Sequence, residues 1–129
     1  MFTVTTVKAA HSKVRSGADF PAYIREIKAM GVTHYECYVS DGHIDYHGDG
    51  DRRATVPEKY DTLSVADTAD AAAFKAALKA HQQGQSDFLT FIRQCADYGV
   101  DKWIVSVTQM TCTYYDQAGQ ELLVEQIPG

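Results

Sequence analysis

The chain has 129 residues, the length of one domain with a single core, and its 45% hydrophobic content excludes a disordered polymer. Net charge is −5 and the twelve Lys and Arg are scattered, with only Arg52 and Arg53 adjacent. That balance lacks the basic footprint of a nucleic-acid binder and does not favour an anionic membrane surface.

Thr3 or Thr5 caps a first predicted helix with Val4, Val7, His11 and Val14 on one face, stopped by Gly17. Asp19 caps a second, with Pro21 in its first turn and Phe20, Tyr23, Ile24, Ile27 and Met30 as its apolar face. Gly31 ends it. Residues 33–39 alternate, placing Tyr35, Cys37 and Val39 inward and His34, Glu36 and Tyr38 outward. Asp41-Gly42 reads as a two-residue hairpin turn. The return strand points Ile44 and Tyr46 inward and His43, Asp45 and His47 outward, and a short strand near 53–56 stops at Pro57.

A third helix opens at Asp67 or Thr68, carries Phe74, Ala77, Leu78 and His81 on one stripe, and breaks at Gly84. Asp87 caps a fourth, with Phe88, Phe91, Ile92 and Cys95 inward and Gly99 as its stop. Strands follow through Trp103, Val105 and Val107, through residues 111–115, and through residues 121–127.

The two passes are one pattern repeated. Asp19 falls on Asp87, Phe20 on Phe88, Tyr23 on Phe91, Gly31 on Gly99, Tyr35 on Trp103, Val39 on Val107 and Tyr46 on Tyr114, all without a gap. With small gaps, His11 falls on His81 and Val56-Pro57 on Ile127-Pro128. Each match keeps its structural role, the mark of an internal repeat. The expected fold is therefore α+β. It has two layers, built from duplicated helix–helix–three-stranded meander units, with an antiparallel sheet and helices on one face. One domain spans 1–129, with unit one at 3–57, a connection at 58–67 and unit two at 68–128. The pattern does not say whether the sheet is continuous.

Four stretches, Val7 to Lys13, Ser40-Asp41-Gly42-His43, His81 to Gln85 and Met110 to Asp116, resemble the YbcV-like family of small uncharacterised bacterial proteins. The resemblance covers nearly the whole chain. It implies an α+β fold and supplies no activity or catalytic residues. Some members carry the label phage envelope protein, for which this chain lacks the size and repetition expected of a coat.

The sharpest candidate site is the outward face of the first hairpin. His34, Glu36, Asp45 and His47 share that face, a set that suits a divalent metal or an acid–base pair. An ordinary solvated sheet face also carries such residues, and the second copy offers Lys102, Ile104, Ser106, Thr111, Thr113 and Tyr115 instead. The second candidate is a cleft where the halves meet, lined by His11 and His81 with Gln82, Tyr46 and Tyr114. Against it, both histidines lie on predicted apolar stripes, where a hydrogen-bonded core histidine is the plainer reading. Arg25 and Arg93, Asp49-Gly50-Asp51 and Cys37 suggest an anion clamp, a calcium loop and a nucleophile, each against a simpler structural role.

No dinucleotide fingerprint, P-loop, nucleophile elbow or zincin motif is present, so no cofactor is expected. The start shows no signal peptide, and three widely spaced cysteines read as reduced core thiols, which points to the cytoplasm. The leading expectation is a non-enzymatic module that binds a small molecule or protein, as monomer or homodimer, with Tyr38 and Tyr115 as contact anchors and no nucleic-acid or membrane partner. The alternatives are a metal-dependent or acid–base enzyme using the hairpin cluster, and a phage-derived structural protein.

Overall fold

The computed structural model describes residues 2–14 and 19–127. Among them, two helices precede each three-stranded meander: α1 Val4–His11, α2 Phe20–Ala29, β1 Val32–Tyr38, β2 Ile44–Gly48 and β3 Arg53–Val56, then α3 Ala71–Gln82, α4 Phe88–Asp97, β4 Lys102–Ser106, β5 Thr111–Tyr115 and β6 Glu121–Gln126. No helix is long and apolar enough to cross a membrane among the described residues.

Among the described residues the helix starts carry a side-chain cap, except that of α2. Thr3 and Thr6 close a reciprocal capping box on α1, and Asp87 accepts the Thr90 N–H at 2.7 Å to cap α4. Asp19 sits at the N-cap of α2 in helical backbone geometry without a side-chain cap bond. The first helix ends at His11, and the predicted stop at Gly17 lies outside the described residues. The third starts after Asp70, which accepts the Ala73 N–H at 3.0 Å, later than Asp67 or Thr68. The reason is tertiary. Ala66 and Asp70 donate to the carbonyls of Ala96 and Tyr98, holding residues 66–70 against the end of α4.

The sheet is continuous, antiparallel at every pairing and ordered β3-β2-β1-β4-β5-β6. Its central pair is β1 with β4, where Glu36 lies opposite Ile104, the residue that is its own counterpart in the repeat. The pseudo-twofold axis therefore passes between these two side chains. The hairpin registers repeat as well: Tyr35 pairs with Tyr46 as Trp103 pairs with Tyr114. One face of the sheet packs under the helices, where Ile24, Ile27, Phe74, Phe91 and Ile92 meet Tyr35, Tyr46, Val105, Cys112 and Tyr114 in one buried cluster. Each fully buried side chain of this kind contributes roughly 1.5–3 kcal/mol.

The hairpin after β1 departs from the two-residue turn. Four residues, 39–42, form the loop: the Gly42 N–H donates to the Tyr38 carbonyl, and the Tyr38 N–H to that of His43. Val39 is fully buried and donates to the Asp101 carbonyl, so it belongs to the junction with the second unit and cannot extend the hairpin ladder. The second copy makes the same turn, with Met110 at φ 56° where the first has Gly42 at φ 79°. The result moves the register by two residues. Faces are preserved and partners change: His34 now lies opposite His47, and Glu36 opposite Asp45.

Candidate ligand groove and the charged sheet face

On the face away from the helices, the register brings the four hairpin residues side by side. The rings of His34 and His47 stack with centroids 4.5 Å apart, and His47 Nε2 lies 3.1 Å from Glu36 Oε1. Potential ligand atoms of Glu36, Asp45 and His47 all lie within 4.8 Å of one another, a set that His34 does not join. Burial, and then the neighbouring His47, lower the pKa of His34. The ring is therefore held towards its neutral form.

These carboxylates already have partners. Asp45, only 5% exposed, accepts from Arg53 Nη2 at 3.1 Å and Thr55 Oγ1 at 2.8 Å. Glu36 accepts from Lys102 Nζ at 3.4 Å. Lys102 in turn lies over the rings of Tyr38 and Tyr115, 5.8 and 5.9 Å from their centroids. The two tyrosines expected as exposed anchors are thus half-buried walls around a lysine. At the loop, Asp41 accepts from the His43 N–H and pairs with its Nδ1; these bonds outweigh burial and keep the Asp41 carboxyl below its usual range.

On the helix side, a groove of about 140 Å³ runs between the first residues of α2 and α4, over β1 and β4. Two repeat-related pairs form it: Phe20 with Phe88, and Tyr35 with Trp103. It straddles the junction of the halves. Tyr23, Cys37, Ile44 and Ile92 complete the apolar wall, and Phe88 stands 46% exposed at the edge. The polar contribution is asymmetric. His11 enters from α1 and packs edge-on against Tyr23 at 5.4 Å, while Lys59 and Tyr60 enter from the connection. Tyr60 donates to the Val39 carbonyl at 2.7 Å and the Lys59 N–H to that of Asp41 at 2.9 Å, which fastens the connection to the hairpin loop. Gly42 is required here, because a Cβ would stand 2.6 Å from the Tyr60 ring.

Among the described residues, no carboxylate lines the groove. Burial, and then Lys59, lower the pKa of His11. Burial also lowers that of Lys59. Burial pushes the Cys37 thiol up to about 12, so it is no thiolate nucleophile at neutral pH. A broader depression of about 520 Å³ lies between α1 and α2, but among the described residues Tyr23 is its one aromatic wall, and Lys13 and Glu26 already pair at 2.7 Å there.

The five residues expected to line a shared cleft are not brought together. His11 lines the groove, and it is exposed at the end of α1 where a buried stripe position was expected, because the helix stops there. His81 stacks on Phe91 with centroids 4.4 Å apart and its Nδ1 lies 3.1 Å from the Ser86 carbonyl, a bracket between α3 and α4. Gln82 is exposed and donates to Glu125. Tyr46 is buried with its hydroxyl 2.5 Å from that of Tyr23, and Tyr114 donates to Glu125 at 3.3 Å. Arg25 and Arg93 are exposed on separate helices, and Asp49-Gly50-Asp51 is an exposed turn.

Sequence reasoning missed Lys59, Tyr60 and Trp103 as site residues. The signal available was their place in the repeat: Lys59 and Tyr60 belong to the unrepeated connection, and Trp103 is the counterpart of Tyr35 beside the axis. No curated protein matches the chain. A family described as a protein of unknown function (DUF1398) matches residues 8–126, nearly the whole length, and the chain belongs to that family.

Proposed function

We propose that this protein is a non-catalytic binding module that takes a small, ring-sized apolar molecule in the groove between its two halves. The observation that supports this most directly is the groove itself, an aromatic concavity at the junction of a duplicated fold with Phe88 exposed at its edge. An engineered apolar cavity of about 150 Å³ holds one benzene, so a volume near 140 Å³ suits a single ring. No activated nucleophile accompanies it, since the Cys37 thiol is pushed up to about 12. Trp103, the single tryptophan, lines the groove and gives a direct readout. Titrating small neutral aromatics while following Trp103 fluorescence and backbone NMR shifts tests the reading. Saturable changes centred on Tyr35, Ile92 and Trp103 are expected. No change at millimolar ligand sinks it.

The rival reading, a metal-dependent or acid–base enzyme on the open face, has one observation in its favour: the close set of Glu36, Asp45 and His47. Against it, Arg53 and Lys102 already neutralise both carboxylates, and a bound cation would have to displace them. Zinc titration of protein purified without an affinity tag separates the readings, with stoichiometric micromolar binding favouring the rival.

Within its family we read the chain as YbcV-like and bacterial, on the four stretches quoted above, and as a single domain over 1–129. Three free cysteines, two of them buried, fit a reducing cytoplasm. Sizing that shows a monomer or homodimer would dismiss the phage-structural alternative, which needs self-assembly.

A further inference from the structure

The groove has a chemical polarity that narrows its ligand. Lys59 borders it, and among the described residues no carboxylate lies within ion-pair distance of its Nζ, although six such pairs form elsewhere in a chain of net charge −5. His11 likewise lies at the groove without a carboxylate partner among those residues. Lys59 is exposed at the rim, where its ammonium is free to give a charge-assisted hydrogen bond to an anion that arrives with the ligand. The rest of the wall is apolar and aromatic, and its thiol and phenols, neutral at pH 7, are pushed further from ionisation by burial. One cationic edge and one aromatic floor fit a molecule with one anionic end and one ring.

We propose that the groove binds a small aromatic carboxylate, with the ring among Tyr35, Ile92 and Trp103 and the carboxylate towards Lys59 and His11. This rests on the groove being the ligand site and adds the charge of its occupant. The volume sets the size at one ring. The carboxylate, as a charge-assisted acceptor from Lys59, supplies about tenfold or more in affinity over the same ring without charge.

Benzoate and benzyl alcohol are the matched probes, titrated against Trp103 fluorescence in the wild-type chain, Lys59→Met and Lys59→Arg. Circular dichroism and thermal melting establish that each variant is folded. Benzoate is expected to bind about tenfold tighter than benzyl alcohol. That preference should vanish in Lys59→Met, return in Lys59→Arg, and weaken as salt rises. If the two probes bind wild type equally, or Lys59→Met keeps the preference, the anion proposal is overturned while the groove reading stands. If neither probe binds, both fall.

Discussion

The two copies share a backbone and differ in the use of their side chains. The second helix of each copy, the register of its first hairpin and the four-residue turn repeat at equivalent positions, down to a left-handed residue that is glycine in one copy and methionine in the other. On the open face, the first copy carries a charged network and the second carries Ile104, Thr111 and Thr113. On the helix side, both copies contribute aromatics to one groove, whereas its imidazole comes from α1 and its ammonium from the connection. The difference teaches that charge density alone is a poor guide to a site. The charged face satisfies itself, and the groove is bordered by a lysine that has no carboxylate partner among the described residues.

Substitutions can break this comparison. Gly31 and Gly99 are counterparts with φ near 100° and 81°, but a Cβ on Gly31 meets open space and one on Gly99 would lie 2.7 Å from Ala69 Cα. Gly31→Ala is expected to cost about 1–2 kcal/mol from backbone strain alone. Gly99→Ala adds a further ~1–3 kcal/mol of overpacking against the backbone of Thr68 and Ala69, measured by urea unfolding. Equal costs would show that Thr68 and Ala69 do not pack against Gly99.

Tyr46→Phe and Tyr114→Phe probe the second asymmetry. Removing the Tyr46 hydroxyl takes its hydrogen bond from the hydroxyl of buried Tyr23 and is expected to cost about 1 kcal/mol. Tyr114→Phe loses a longer bond to half-buried Glu125 and should cost less. Asp45→Asn keeps an acceptor for Thr55 and Arg53 and should lower stability by no more than about 1 kcal/mol, leaving groove binding unchanged. A loss of ligand binding in Asp45→Asn would join the two faces into one site.

The smallest expected effect is in pH. His11 and His34 both have lowered folded pKa values, so the unfolded chain takes up their protons first. Their contribution to stability is complete above the unfolded histidine value of about 6.5 and is lost as pH falls through the folded values. Thermal melts between pH 7.5 and 5 should show this decline, and His34→Asn should make it shallower.

Much of the fold was legible because the repeat checks itself. Gly31, Tyr35 and Tyr46 each had a counterpart in the same role, and the structure keeps those roles, whereas Asp19 lacks the cap bond that Asp87 makes. The turn type was not legible, since Asp41-Gly42 carries a strong local signal that the burial of Val39 overrides. The open-face cluster survived because a register shift of two preserves the face. His11 and His81 diverged because α1 ends at His11 whereas α3 continues to Gln82. Lys59 escaped notice because an unrepeated loop residue gives no periodic signal, and its place beside the groove depends on the contacts of Tyr60 and Asp41.

The most direct test of the groove as the binding site is the fluorescence of Trp103 as benzoate is added to the wild-type chain. A saturable change that Lys59→Met weakens about tenfold is the expected result. A flat signal through millimolar benzoate and benzyl alcohol would contradict the account.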